Sequence, residues 1–264
     1  MKTVVITGSA RGFGYEMAKE FRKNNYNTVI IDINKKELKK ANENLCEIKS
    51  RGMVLPVEAD ITNEKDIVKV IDKTIKEFKT IDIWINNAGV NQSDNYIWDI
   101  DANEIERLVK IDLIGTIMCS SLVSKLMIKQ GHGEIYNVEG HGSNDALIDK
   151  LTLYGTSKRG VTYFTDSLAH ELKNYNIKVG KITPGIMITN FITHSLGDEK
   201  EIKLDDKTKK IYNILGDYPE TIAKFMVNKI INNNKKNPKF IWLSNRRAFS
   251  RFITYPFNKR NLIK

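Results

Sequence analysis

Seven short apolar runs, at residues 2–7, 27–32, 53–58, 81–85, 133–138, 177–182 and 239–243, alternate with segments whose apolar residues recur at helical spacing. The helical patterns fill 12–24, 34–51, 63–79, 102–129, 152–174 and 217–233. Short, largely apolar strands separated by helices suit a parallel sheet covered on both faces, since parallel strands need a crossover between them. The expected fold class is α/β: a three-layer doubly wound parallel sheet of about seven strands. The 264 residues, 41% of them hydrophobic, are enough for one domain with a large core. Thr62-Asn63-Glu64 and Asp101 with Glu104 read as helix starts, the latter as a variant capping box. Residues 191–208 break the alternation with charge and polarity, so a flap over about 190–215 is expected, followed by a basic aromatic tail over about 245–264.

Thr7-Gly8-Ser9-Ala10-Arg11-Gly12-Phe13-Gly14 sits between the first apolar run and a helical pattern carried by Phe13, Met17, Ala18 and Phe21. A glycine-rich strand-to-helix turn lets backbone N–H groups approach a ligand, and the positive end of the helix behind it suits a pyrophosphate. The spacing Gly-x-x-x-Gly-x-Gly serves the same physics as the dinucleotide fingerprint of the Rossmann fold. Gly8, Arg11, Gly12, Phe13 and Gly14 are therefore candidate cofactor-binding residues. Asp32 ends the second run, 24 positions after Gly8, where an acid can accept hydrogen bonds from a ribose and repel a 2′-phosphate. NAD(H) is thus favoured. Arg11 and Lys35-Lys36 argue for NADP(H), and an N-cap role for Asp32 is the structural alternative.

Tyr154-Gly155-Thr156-Ser157-Lys158 places a phenol and an ammonium four residues apart on one helix face. A fixed ammonium stabilises phenolate and should draw the Tyr154 pKa down from about 10 toward a working range.

Together these features resemble the short-chain dehydrogenase/reductase family over nearly the whole chain. Thr7 to Gly14 matches its glycine turn and Asn86-Asn87-Ala88-Gly89 its Asn-Asn-Ala-Gly signature. Asp60 and Ile61 fall where the family contacts adenine, and Tyr154 with Lys158 matches its Tyr-x-x-x-Lys pair. Pro184-Gly185-Ile186-Met187-Ile188-Thr189 resembles its Pro-Gly-x-x-x-Thr motif at the nicotinamide. The resemblance implies hydride transfer between a nicotinamide and an alcohol or carbonyl carbon, with Tyr154 as acid/base and Lys158 binding ribose and tuning Tyr154. It adds Asn87, Ala88, Gly89, Pro184, Gly185 and Thr189 to the cofactor-binding residues, and implies a homodimer or homotetramer built on the fourth and fifth helices.

Two positions depart from the family pattern. Its Asn-x-Ser-Ser segment reads Asn137-Val138-Glu139-Gly140 here, with neither serine. Ser143, 11 residues before Tyr154, is the preferred replacement as the hydroxyl that binds the substrate oxygen. His141 is the rival, at the family's 13-residue spacing. The stretch Glu139-Gly140-His141-Gly142-Ser143 is similar to the chlorophyll b reductase branch, which acts on a bulky pigment. The fourth-helix Asn is replaced by Asp112, which accepts but cannot donate while ionised and should stay charged beside Lys158. Glu139 either selects a cationic or hydroxylated substrate or caps a backbone turn, and the cap is preferred.

Cys46 and Cys119 give neither zinc spacing nor a disulfide framework, so no metal is expected. No apolar run approaches membrane-spanning length, and the first strand leaves no room for a signal peptide, so the cytoplasm is the expected compartment. The net charge of +10 is spread as lysines except in the tail, where Arg246, Arg247, Arg251, Lys259 and Arg260 interleave with aromatics and no acid compensates. Such a tail suits nucleic acid, anionic lipid, an acidic substrate or a subunit contact, or simply docks its aromatics on the protein. Peripheral membrane contact stays open and no nucleic acid is expected, since no recognised nucleic-acid module accompanies the tail. A dinucleotide-binding protein whose catalysis is weak or lost is the alternative to the enzyme.

Overall fold

The computed structural model describes residues 1–188, 206–257 and 259–263. The strands are β1 (Thr3–Thr7), β2 (Asn27–Asp32), β3 (Val54–Glu58), β4 (Ile83–Asn86), β5 (Gly133–Val138), β6 (Ile177–Thr183) and β7 (Lys239–Ile241). They form one sheet in the order β3-β2-β1-β4-β5-β6-β7 with every pair parallel. The helices are α1 (Gly12–Lys23), α2 (Lys35–Cys46), α3 (Glu64–Phe78), α4 (Ala102–Val109), α5 (Thr116–Gln130), α6 (Thr152–Glu171), α7 (Asp206–Leu215), α8 (Pro219–Ile231) and α9 (Asn245–Thr254).

The pleat divides the sheet's side chains between two cores. Val4, Ile6 and Ile30 pack with Met17 and Phe21 of α1, Leu45 of α2 and Met226 of α8 on one face. Val5, Val29, Ile31 and Trp84 pack with Val70 of α3, Val123 and Met127 of α5 and Leu168 of α6 on the other. This is the three-layer doubly wound sheet. The strand order reverses between β1 and β4, so a crevice opens beyond their carboxyl ends.

Several local expectations change. Asp101 does cap α4, accepting from Asn103 N–H at 2.8 Å, but Glu104 does not close a capping box: it accepts from Ser93 N–H at 2.6 Å. The helix expected over 102–129 continues to Gln130 but holds a π-helical turn at Lys110–Gly115. By length and composition Ala102–Gln130 could cross a membrane, so an apolar segment of that length is present after all. Its Cys119, Val123 and Met127 pack in the core, as a central helix of a layered domain does. Residues 206–215, inside the span expected to be flap, form α7, and 189–205 lie outside the described residues.

The tail reverses its expectation. Residues 245–254 are helical, with Ser244 Oγ capping Arg247 N–H at 3.3 Å. The arginines dock and the aromatics do not. Arg251 and Arg260 each reach a different oxygen of buried Asp217 at 2.6 Å, and Trp242 donates to it at 2.6 Å. The Arg247 guanidinium lies 3.7 Å over the Trp242 ring.

Candidate active site

The glycine turn is built to be lined by backbone alone. Gly8 has φ +60°, and a Cβ there would stand 2.7 Å from Ala88 Cα. A Cβ on Gly14 would stand 2.4 Å from the Gly8 carbonyl oxygen. Thr7 Oγ1 accepts the N–H groups of Asn87 and Ala88 at 3.0 Å, while the Asn87 side chain donates to the Thr7 and Gly8 carbonyls at 3.0 Å. The loop after β4 thus fixes the turn after β1. Arg11 precedes α1 without a side-chain cap, and the first turn of α1 carries no acid, which leaves its N–H groups available to an anion. Phe13 gives its side chain to the core, so only its backbone belongs to the turn.

At the next strand, Asp32 accepts from Ala10 N–H at 3.2 Å and Asn34 N–H at 3.0 Å. Asn34, not Asp32, caps α2, accepting from Glu37 N–H at 3.1 Å. One oxygen of Asp60 holds Thr62 through its N–H and hydroxyl, both at 2.8 Å. Beside it lies a concavity of about 400 Å³ lined by Ile33, Glu58, Ala59, Asp60, Asp66, Lys69 and Lys73. Ile61 packs against Gly115 of the π-helical turn, where a Cβ would stand 2.7 Å from Ile61 Cδ1.

The same turn aims Asp112 inward. Its carboxylate is fully buried, lies 3.0 Å from Lys158 Nζ and accepts Val90 N–H at 2.8 Å. Gly89 touches this pair: a Cβ there would stand 3.2 Å from Asp112 Oδ2 and 3.3 Å from Lys158 Nζ. Lys158 Nζ lies 5.5 Å from the centre of the Tyr154 ring. Gly140 closes the other side, since a Cβ there would stand 2.3 Å from the phenol oxygen. Tyr154, Lys158, Asp112, Gly89 and Gly140 therefore form one cluster at the end of the crevice.

The titration of this cluster departs from the sequence expectation. Burial pushes the Tyr154 pKa above its ordinary value and Asp112 adds to the rise, while Lys158 only pulls it back in part. The ammonium acts on both Asp112 and Tyr154, and for the phenol burial outweighs its pull. Burial also raises the Asp112 pKa, against the opposing pull of Lys158 and the Val90 N–H. For Lys158 burial acts downward, but Asp112 and Tyr154 outweigh it and its pKa rises.

The family whose description is short chain dehydrogenase matches residues 2–200. The chain belongs to it. Among relatives of this short-chain dehydrogenase is the chloroplastic chlorophyll(ide) b reductase NOL of Arabidopsis thaliana, 31% identical over 86% of this chain and 64% of that one. The diacetyl reductase [(S)-acetoin forming] of Staphylococcus epidermidis is 31% identical over 78% of each chain. A crystal structure of a short chain dehydrogenase from Bacillus anthracis superposes with TM-score 0.76 at 28% identity, covering 91% of this chain and 94% of that one. The chain spans about half to three-quarters of the length of the chlorophyll(ide) b reductases it matches. Their chloroplastic names lend no support to the cytoplasmic expectation.

The departures from the dehydrogenase pattern have structural accounts. Gly140 admits no side chain beside the phenol. Ser143 is buried, with its hydroxyl 3.3 Å from Gly140 N–H and donating to the Lys158 carbonyl at 3.4 Å. The His141 ring is half-buried and bonded to the backbone of Ala146, and burial lowers its pKa. Among the described residues Glu139 caps no turn, and its carboxylate is held by side chains: it accepts Thr162 Oγ1 at 3.0 Å and Thr183 Oγ1 at 2.6 Å, with Lys239 Nζ at 3.0 Å. Pro184 and Gly185 follow β6 as expected, and Thr189 lies outside the described residues.

Two supporting residues escaped sequence reasoning. Gln92 is 2% exposed and accepts Tyr154 N–H at 2.8 Å, holding the first turn of α6. Thr165 accepts from Asn137, which accepts from Asn86, in a buried line joining α6, β5 and β4. Neither residue carries a spacing signal that would have found it.

Proposed function

We propose that the protein is an NAD(H)-dependent oxidoreductase acting on an alcohol or carbonyl, with Tyr154 as acid/base. The observation that carries this reading is the buried Tyr154–Lys158–Asp112 cluster at the end of a crevice that begins in a backbone-lined glycine turn. A bound nicotinamide dinucleotide supplies the hydride donor or acceptor. The residues present fit that group: Gly8 and Gly14 leave no room for a Cβ where the turn packs on Ala88 and on its own backbone, the space at Gly12 is open, and the uncapped N-terminus of α1 suits a pyrophosphate. Asp32 stands where a ribose hydroxyl would donate to it, and the concavity beside Asp60 and Ile33 suits adenine. Gly89, Pro184 and Gly185 border the nicotinamide end.

In the reductive direction Tyr154 donates its phenolic proton to the substrate oxygen, and in the oxidative direction the phenolate accepts it. Ser143 donates a second hydrogen bond to that oxygen. The bond its proton now makes, to the Lys158 carbonyl at 3.4 Å, is long, so a substrate carbonyl competes well for that proton. The segment between β4 and α4 carries exposed Trp98, the loop before α6 carries exposed Leu147 and Ile148, and Asp94 and Lys150 tie the two at 3.3 Å, which supports an apolar, bulky or planar substrate. Exposed Ile117 and Ile128 of α5 and Tyr163 of α6 support assembly as a homodimer or homotetramer.

The raised Tyr154 pKa favours one alternative, a dinucleotide-binding protein with weak or lost catalysis. Thermal unfolding with NADH and NADPH titrated separately tests the cofactor reading. A cofactor at 100 times its Kd adds about 2.7 kcal/mol of stability. Selective stabilisation by NADH is expected. Selective stabilisation by NADPH would overturn the role given to Asp32, and stabilisation by neither would overturn the dinucleotide reading.

A further inference from the structure

The amphipathicity of α9 is inverted for a helix at the surface of a soluble protein. At 100° per residue, Arg247 and Arg251 share one face, and this face turns inward. Arg251 is bonded to Asp217 and to the Leu215 carbonyl, and Arg247 lies on Trp242. The opposite face carries Phe249, Phe252 and Ile253, exposed by 68%, 50% and 55%, and Phe257 just beyond the helix is 91% exposed. Single exposed apolar residues are ordinary, but three on one face of a ten-residue helix, with a fourth in the turn that follows, are not.

The charges around that face indicate what covers it. Arg246 and Lys259 are exposed and form no ion pair among the described residues, and residues 245–263 contain no acid. A two-fold contact between two copies of α9 would bring these cations together without compensation. Phenylalanines flanked by unpaired cations complement the acyl boundary and headgroups of an anionic bilayer.

We propose that α9 docks the protein on the surface of an anionic membrane, with Phe249, Phe252, Ile253 and Phe257 in the acyl boundary and Arg246 and Lys259 at the headgroups. The inward arginines hold the helix in place, so its apolar face is displayed before any membrane is met. The anchor also reaches the crevice, because the backbone of Asp217 is bonded to Ile186 and Ile188, which follow Pro184-Gly185. The docking itself does not depend on the catalytic reading.

Co-sedimentation of the full chain with phosphatidylcholine vesicles, with and without phosphatidylglycerol, tests the proposal. Binding to the anionic vesicles is expected to be about tenfold or more tighter than to the neutral ones and to weaken with salt. The triple variant Phe249→Ser/Phe252→Ser/Phe257→Ser should lose about tenfold or more of that binding. Its melting temperature and oligomeric state should match the wild type. The double variant Arg246→Gln/Lys259→Gln should lose the preference for anionic lipid. Equal binding by wild type and triple variant would overturn the proposal. So would absence of vesicle binding together with an oligomer that the triple variant dissociates, which would assign the face to a second copy of the chain.

Discussion

Replacing Glu139 measures what its departure from the family serine contributes. Its carboxylate is fully buried and joins three elements: Thr162 of α6, Thr183 of β6 and Lys239 of β7. Hydrogen bonds to a charged group contribute about 1.5–3 kcal/mol each, and removing one partner of a buried ion pair costs about 3–5 kcal/mol. Lys239 is 35% exposed and water recovers part of its share, so Glu139→Ala is expected to cost about 3–4 kcal/mol. For a domain of this size that lowers the Tm by about 6–16 °C. Glu139→Gln keeps the shape and one acceptor and should cost roughly half as much. Adding Lys239→Met to Glu139→Gln should recover part of the loss, since the two side chains are coupled. Urea denaturation of the four proteins measures these differences. If Glu139→Ala stays within about 1 kcal/mol of wild type while KM for a substrate rises, Glu139 faces a ligand and the structural account fails.

Three further outcomes follow from the same geometry. Asp112→Asn removes a charge that raises the Tyr154 pKa, so Tyr154 should ionise at lower pH and the rising limb of the alcohol-oxidation rate should move to lower pH. An unchanged pH profile would show that Asp112 does not act on the phenol. Gly140→Ala places a methyl 2.3 Å from the phenol oxygen, and the resulting displacement should cost about 100-fold in kcat while NADH stabilisation persists. Asp217→Asn removes the charge and one of the two oxygens that Arg251 and Arg260 use, and should cost about 3 kcal/mol, with faster hydrogen exchange across α9.

The sheet was legible because its central strands β1, β2 and β4 are buried on both faces and read as short, largely apolar runs, and each strand edge falls within two residues of its expected place. The glycine turn was legible because close backbone approach restricts the residue type directly. The cluster at Tyr154 was legible in its members and not in its electrostatics. Spacing places Lys158 near Tyr154, but it does not reveal that burial raises the phenol against the pull of Lys158 or that Asp112 adds to the rise. No residue type marks the π-helical turn that aims Asp112 inward. Helix α9 was read as a basic tail because no acid within it compensates its cations, whereas Asp217 and Trp242, earlier in the chain, draw Arg247, Arg251 and Arg260 inside. Ser244 before Asn245 was the available sign of that helix. Glu104 shows the same limit, since a capping box can be written in sequence while the loop at Ser93 takes its carboxylate.

The central claim is that Tyr154 carries the proton in a nicotinamide-dependent reaction. The most direct measurement is NADH oxidation by wild type and Tyr154→Phe over a panel of carbonyl compounds, with NADH-dependent melting recorded on both proteins. The account predicts turnover by wild type, a loss of about 100-fold to 10,000-fold in Tyr154→Phe, and the same stabilisation by NADH in each. Turnover that survives in Tyr154→Phe, or NADH binding without turnover in wild type, would contradict it.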